Sequence, residues 1–377
     1  WSQPQHHRIQ VKSGANLVAK DVLVFGGGYD PDQDTASTRT TDDQGRAVYI
    51  VDALTGGLLW WASGTDREGA SPAVTLPVAN LQIAGMDYSI PSDVRVLDTN
   101  TDGFADRIYL GDMGGQLLRF DIDNATVDVI ANRITGGIVW DLQKTAANGG
   151  TPGTIDNRRF YYPPDVAYIP VADGYGYLSL AIGSGHRAHP LDTVVQDRFY
   201  VLRDFNIFTP PVAGTPAVVT YTKGDDSTLI DRTSLNPSLT AAQTLAQKDG
   251  WYIKLNDVST GSFVGEKVLS AALTFDGNVL FTTFTPVSSG SASSCSPSQG
   301  SAKLYLVNIG DAAPLENFDE IGDDNNLTRA DRAYNLVRSG IPPEVTVLFP
   351  GLDADAIPVA LVGAEKLDLD LSQTAIK

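Results

Sequence analysis

Cysteine is almost absent: the 377 residues contain one, Cys295. No disulfide can form within the chain, so burial and hydrogen bonding must hold the fold. Cys295 lies in a Ser-rich stretch with no neighbouring base. It reads as a free thiol, or one that pairs outside this chain, rather than as a nucleophile. Basic residues are also scarce. Lys and Arg number 27 against 45 Asp and Glu, a net charge of −18. A nucleic-acid binder needs a basic face to meet phosphates, and an anionic membrane surface needs the same, so both partner classes are excluded. No apolar run approaches the ~18 residues of a membrane-spanning helix.

Helical periodicity is nearly missing. Only residues 238–247 and 328–337 suggest short helices, the second with Thr328 as N-cap and Gly340 as stop. The glycine-rich segments 26–28 and 183–185 follow strand-like runs. No amphipathic helix comes after them, so they read as turns and not as phosphate cradles. No nucleophile–base pair, cofactor cradle or catalytic metal cluster stands out, and the chain is expected not to be an enzyme.

What remains is a series of short strands. Residues 21–25, 47–52, 58–60, 107–110, 116–121, 178–182, 198–202, 279–283 and 303–307 are β-branched or aromatic-rich and bounded by Gly, Asp and Asn. One phrase recurs: an apolar strand ends in small residues, a loop follows, and an aromatic-centred strand returns. Self-similarity at intervals of roughly 40–70 residues points to an all-β fold, a modified β-propeller of about seven blades with loop and short-helix insertions. No composition break marks a boundary, so residues 1–377 are expected to form a single domain. The opening at Trp1 suggests the C-terminal portion of a longer protein.

The most informative stretch is residues 98–106, Asp-Thr-Asn-Thr-Asp-Gly-Phe-Ala-Asp. Oxygen-bearing side chains occupy alternate positions, Asp98, Asn100 and Asp102. Gly103 permits a sharp turn that brings the Phe104 carbonyl and Asp106 round. A hard cation such as Ca²⁺ needs six to eight oxygens from one small loop, and this is the first nine positions of an EF-hand-type loop. The twelfth position, where a bidentate Glu would stand, is Tyr109. Both flanks read as strand rather than helix, so the expectation is a calcium staple between two strands. Its ligands would be Asp98, Asn100, Asp102, the Phe104 carbonyl and Asp106.

Three passages carry a resemblance. They are residues 97–121, which contain the loop; residues 250–255 with 265–270; and residues 24–30. Together they resemble the C-terminal domain of the PilC/PilY family of type IV pilus biogenesis factors and tip-associated adhesins. The similarity runs from near Trp1 to about Gly363. It implies a modified β-propeller with one bound Ca²⁺ on the five positions above. It also implies a role in pilus extension against retraction, twitching motility and attachment. The implied partners are pilus subunits (minor pilins) and host or surface receptors. The implied place is the surface of a bacterium, at the pilus tip or the outer membrane. A quinoprotein-like propeller dehydrogenase is the alternative, since the turn at residues 52–60 resembles a blade turn of those enzymes. A purely structural docking scaffold is a third reading.

Other candidates carry bland expectations. Asp30, Asp32 and Asp34 start like a second calcium loop, but Thr35 stands where glycine is needed, so a solvated acidic loop is expected. His186 and His189 are expected to anchor their loop, and His6 and His7 to be a solvated start. Asp112, Asp121 and Asp123 are expected in turns or at the surface rather than as paired catalytic carboxylates.

Overall fold

The computed structural model describes residues 2–65, 79–144, 149–171, 176–210, 212–213, 218–221, 224–235, 249–257, 261–287, 299–319, 326–349 and 358–367. Cys295 and the helix expected over residues 238–247 lie outside the described residues. The described residues are all-β, with a few 3₁₀ turns and no α-helix. They gather into two compact units, Trp1–Pro163 with Phe205–Asp226, and Pro164–Asp204 with Ser227–Lys377.

The first unit begins with β1 (Gln5–Ser13), β2 (Asn16–Gly26), β3 (Ala47–Asp52), β4 (Leu58–Gly64) and β5 (Leu81–Ile83), which lie side by side in sequence order. Strand β1 is polar and mostly solvated, as suits an edge strand, where unpaired backbone groups and apolar side chains would invite aggregation. His6 and His7 are part of it, paired opposite Leu23 and Val22. His6 is exposed and His7 half-buried, so the start is largely solvated as expected, and it is also an ordered edge strand. His6 reaches Asp21 at 3.2 Å, and burial, with His6 adding to it, lowers the His7 pKa.

The turn from β3 to β4 shows how one carboxylate organises a hairpin. Asp52 accepts from the backbone N–H of Leu54 (2.9 Å) and Thr55 (3.0 Å), and from the Lys20 ammonium. Gly56 supplies the positive φ the turn needs. The Lys20 bond and the two backbone bonds lower the Asp52 pKa from 3.8 to about 2. A carboxylate acidified on folding contributes stability that is complete above its unfolded pKa and lost as pH falls through the folded value. We expect a titration of the Asp52 carboxylate by NMR to show a midpoint near 2. We also expect Asp52→Asn to remove this part of the acid sensitivity. A midpoint near the unperturbed value would refute both.

A second sheet holds β6 (Arg95–Leu97), β7 (Arg107–Gly111), β8 (Gln116–Ile122) and β9 (Ile134–Asp141), again antiparallel neighbours in sequence order. Every residue of β7 and β8 is buried. A strand covered on both faces shows a continuous apolar run rather than alternation, which is why these two stood out in the sequence. The core of the unit joins both sheets, and Trp60 of β4 meets Phe120 of β8 edge to face at 5.6 Å.

In the second unit β10 (Asp165–Pro170), β11 (Gly176–Gly183) and β12 (Arg198–Asp204) are antiparallel. The chain then returns to the first unit, where β13 (Val212–Ala213) pairs with β14 (Val218–Val219). Back in the second unit, β15 (Ile230–Asp231) and β16 (Gly250–Lys254) complete the sheet begun by β10. A further sheet comprises β17 (Lys267–Val268), β18 (Leu273–Phe275), β19 (Asn278–Thr285), β20 (Ser301–Asn308) and β21 (Ala333–Asn335). The last comprises β22 (Val345–Leu348), β23 (Val359–Val362) and β24 (Glu365–Leu367). Phe199, Phe281 and Tyr305 stack in succession through this core, at 3.6 and 4.6 Å between ring centroids. The glycine-ended strand β11 is explained by packing: a Cβ on Gly183 would stand 2.4 Å from Val268 side-chain atoms.

The helix expected over residues 328–337 is not formed. Thr328 is tied to Asp331, to which its N–H and hydroxyl donate (2.6 and 3.0 Å). But the helical part is a three-residue 3₁₀ turn, Ala330–Arg332, and the residue at its cap is Arg329, with no side-chain cap bond. The next residues pair instead with β20, Tyr334 opposite Leu304. A ready-made strand partner outweighed a weak local preference. Among the described residues five sheets have three or more strands. The blade number of about seven drawn from chain length stays an expectation.

Candidate metal centre

The loop of residues 98–106 joins β6 to β7 and is closed at its base by the pair Leu97 and Arg107. The Asp106 N–H donates to the Leu97 carbonyl at 2.8 Å. Within the loop every sequence-predicted side chain holds a backbone amide. Asp98 accepts from the N–H of Asp102 (3.2 Å) and Gly103 (2.8 Å). Asn100 Oδ1 accepts from Asp102 N–H (2.9 Å), and Asp102 Oδ1 from Phe104 N–H (2.9 Å). Two residues adopt positive φ, Thr101 at 62° and Gly103 at 88°. Gly103 takes this freely, and for Thr101 the nested side-chain bonds compensate a conformation a β-branched residue avoids.

Asp106 is held differently. Its Oδ2 accepts from both the N–H and the hydroxyl of Thr99, at 2.8 and 2.9 Å. Asn124, in the turn after β8, bridges from outside. Its amide nitrogen donates to the Ala105 carbonyl (2.9 Å), and its oxygen accepts from Gln10 N–H of β1 (2.9 Å). Asn124 was not foreseen, because nothing near it in sequence marks it as part of the loop. Phe104 is half-buried, with the Arg8 guanidinium 5.8 Å from its ring centre. Tyr109 is fully buried in β7, so the twelfth position of an EF-hand-type loop has no ligand here.

The donor set suits a hard divalent cation: three carboxylates, one amide oxygen and one carbonyl, with no nitrogen or sulfur. A carboxylate oxygen that accepts one N–H keeps lone-pair capacity for a metal. The three carboxylates do not, however, all lie within 4.8 Å of one another. Asp98, Asn100 and Asp102 form the shaped part of the loop, and Asp106 would have to turn from Thr99 to join them on one ion.

Behind the loop lies a cavity of about 620 Å³ whose walls include Thr99, Asp102, Asp106, Arg107, Asp121 and Arg133. Arg107 and Asp121 are cross-strand partners on β7 and β8. Arg107 Nε and Nη2 meet Asp121 Oδ1 at 2.9 and 2.7 Å. Arg119, two residues from Asp121 on the same face of β8, meets both its oxygens at 2.9 and 2.8 Å. Tyr221 donates its hydroxyl to Asp121 Oδ2 at 2.8 Å, and burial, reinforced by Asp121, raises its pKa so that it stays neutral. Arg133 spends its donors on the carbonyls of Asp123 and Gln10. Burial lowers its pKa against the opposing pull of Asp123 and Asp128.

Several flagged residues fall elsewhere. Asp112 is fully buried, not at the surface. It accepts from the N–H of Gly114 and Gln116 (2.9 Å each), and burial drives its pKa well up. Asp121 likewise belongs to a buried cluster. Asp123 keeps its expected turn role, accepting from Ala125 and Thr126 N–H. Asp30 is buried rather than solvated, and its carboxylate is committed to the N–H of Asp32, Asp43 and Gln44. Asp32 and Asp34 stay exposed. His186 is buried, with its ring centre 4.7 Å from that of His189, and its carbonyl accepts from the His189 N–H.

No family model matches the chain. A type IV pilus biogenesis factor PilY1 homolog from Xylella fastidiosa is 25% identical over 297 residues, which cover 75% of this chain and 17% of that protein. The crystal structure of the Pseudomonas aeruginosa PilY1 C-terminal domain superposes at a TM-score of 0.58 with 16% identity, covering 97% of this chain and 71% of that one. The chain is a relative of the PilC/PilY family. It shares with that domain an all-β, β-propeller-like fold. It spans only 17% of the length of its PilC/PilY relative from Xylella. A europium-containing methanol dehydrogenase superposes at 0.38 with 11% identity, a score that bears on neither fold nor function.

Proposed function

We propose that this chain is a single calcium-binding domain of a type IV pilus biogenesis factor. It acts without catalysis, as a module whose occupied loop biases pilus extension against retraction, and so twitching motility and surface attachment. The observation that carries the reading is the loop of residues 98–106. In a chain similar to a pilus biogenesis factor, the oxygen donors Asp98, Asn100 and Asp102 are already folded by their own side-chain bonds between two strands, with Asp106 close by on Thr99. A bound Ca²⁺ supplies positive charge that neutralises crowded carboxylates and ties the Asp98 end of the loop to the Asp106 end. The residues do the rest: Asp98, Asn100 and Asp102 set the turn, and Asp106 with Asn124 links it to β1 and the turn after β8. The natural partners are minor pilins and surface receptors, and the place of action is the exported, pilus-associated surface of the cell.

The test is made in cells that express the full-length parent protein. Asp106→Ala is expected to shift surface piliation and retraction-dependent movement in one direction. Asp106→Lys places an ammonium where the cation's charge is needed and is expected to restore one of the two. Equal piliation and motility in wild type and both variants, with loss of calcium binding confirmed by calorimetry, would reduce the loop to a structural staple.

A further inference from the structure

We propose that the far end of β1 is a docking edge for an extended segment of a partner protein, one in which an acidic residue stands between two apolar ones. Strand β1 is the outermost of its sheet, and other parts of the first unit cover its outer edge at two positions. The Arg8 carbonyl accepts from the Ala105 N–H at 2.8 Å. The Gln10 N–H donates to Asn124 Oδ1, and the Gln10 carbonyl accepts from Arg133, both at 2.9 Å. In an antiparallel pair, alternate residues turn both their peptide groups away from the neighbouring strand. The pairing of β1 with β2 runs unbroken from Gln5 to Ser13, so Lys12 follows Arg8 and Gln10 and turns its N–H and C=O outward. No backbone group among the described residues takes them up, and Lys12 is exposed. An edge left open in this way can pair with an extended chain that fits it.

The groove beside Lys12 sets what fits. It has a volume of about 610 Å³, and Val11, Leu59, Val129 and Ile130 give it apolar walls. Val129 is 50% exposed, and Val18, paired opposite Val11 and so on the same face, is 43% exposed. Lys12 and Lys20 also line the groove, and among the described residues no carboxylate does. Lys20 is held by Asp52. Lys12 forms no side-chain hydrogen bond or ion pair among the described residues. Asp128 accepts from the Asn132 amide and the Val129 N–H, bonds that lower its pKa, with Lys12 a smaller cause. One ammonium is thus available beside an apolar groove, on a chain of net charge −18. A carboxylate complements it. In a segment paired antiparallel with Lys12, the residue opposite shares the Lys12 face, and the residues on either side of it share the Val11 face. The pattern recognised is therefore apolar–acidic–apolar. An anionic lipid also carries negative charge, but the net charge of the chain repels an anionic bilayer. No ligand of the 98–106 loop takes part, so the docking edge does not rest on the calcium reading.

The experiment titrates the 377-residue chain with acetyl-Thr-Val-Asp-Val-Thr-amide. Two control peptides go with it: one with Lys in place of Asp, and one methylated on the Asp backbone nitrogen. The methyl group removes the N–H that would donate to the Lys12 carbonyl and leaves the protein untouched. The Asp peptide is expected to bind at least about tenfold more tightly than either control. Lys12→Glu changes an exposed side chain, and it should weaken the Asp peptide about tenfold and turn the preference to the Lys peptide. Val129→Gln, on the groove wall, should weaken the Asp peptide about fivefold. No binding, equal affinity for the Asp and Lys peptides, full affinity of the methylated peptide, or indifference to Lys12→Glu or Val129→Gln overturns the docking edge. Displacement of the Asp peptide by decanoate at higher affinity would give the groove to an acyl chain and overturn it too. So would self-association of the free chain in sedimentation, lost in Lys12→Glu, which would give the edge to a second copy.

Discussion

Asp102→Ala is expected to abolish calcium binding and to leave the fold as stable as wild type in chelator. Asp102 is exposed; its Oδ1 holds the Phe104 N–H and its Oδ2 accepts from the Asn100 amide, both at solvent-exposed sites, so the substitution opens no hole and strands no buried group. It does remove a ligand from a loop that already lacks the twelfth. With that ligand missing, wild-type affinity should fall between about micromolar and millimolar. At ~100-fold excess over Kd, calcium would stabilise wild type by about 2.7 kcal/mol and the variant not at all. Asp106→Ala should behave otherwise. It also releases the Thr99 N–H and hydroxyl, so it should lose calcium binding and some stability even in chelator. Calorimetry and denaturation with and without calcium separate the two. Undiminished calcium affinity in Asp102→Ala would remove the loop as the binding site.

Asp121→Ala is expected to be among the most damaging single substitutions in the first unit. It leaves Arg107 and Arg119, 2% and 0% exposed, facing each other with no carboxylate between them. Breaking a buried ion pair from one side typically costs about 3–5 kcal/mol, because the remaining charge is stranded rather than because the pair was strong. Here two buried guanidiniums lose the carboxylate they share. The check is the urea midpoint of Asp121→Ala at unchanged slope, so that the shift reports stability and not a changed unfolded state. Asp121→Asn keeps one acceptor oxygen and should lose less. A shift worth under about 1 kcal/mol would mean that water or a neighbouring carboxylate already shares the load.

The turn through residues 98–106 was legible in sequence because its hydrogen bonds are local. Asp98 reaches no further than Gly103, and Asn100 and Asp102 reach two residues on, so spacing alone specifies the turn. The buried strands β7, β8, β11, β12, β19 and β20 were legible for a similar reason: each carries its own apolar run. Residues 328–337 misled because a cap-like Thr328, which in the fold donates to Asp331, was followed by a segment whose fate depended on β20, some thirty residues earlier. Asp30 misled because an Asp-rich stretch looks solvated. Only the folded chain brings the amides of Asp43 and Gln44 to its carboxylate.

By itself, then, the sequence determined the strand content, the glycine-closed turns and the oxygen-donor loop, all of which depend on neighbours a few residues apart. Tertiary structure alone decided which charged residues are buried and what they face. Arg107, Arg119, Asp121 and Tyr221 meet across two strands and a hundred residues of chain. Asn124 bridges the loop to β1 across a similar distance. No periodicity announces such groups. A charged residue is placed inside only when partners from distant elements arrive to offset its desolvation, and that condition is met by the fold and not by any stretch of sequence.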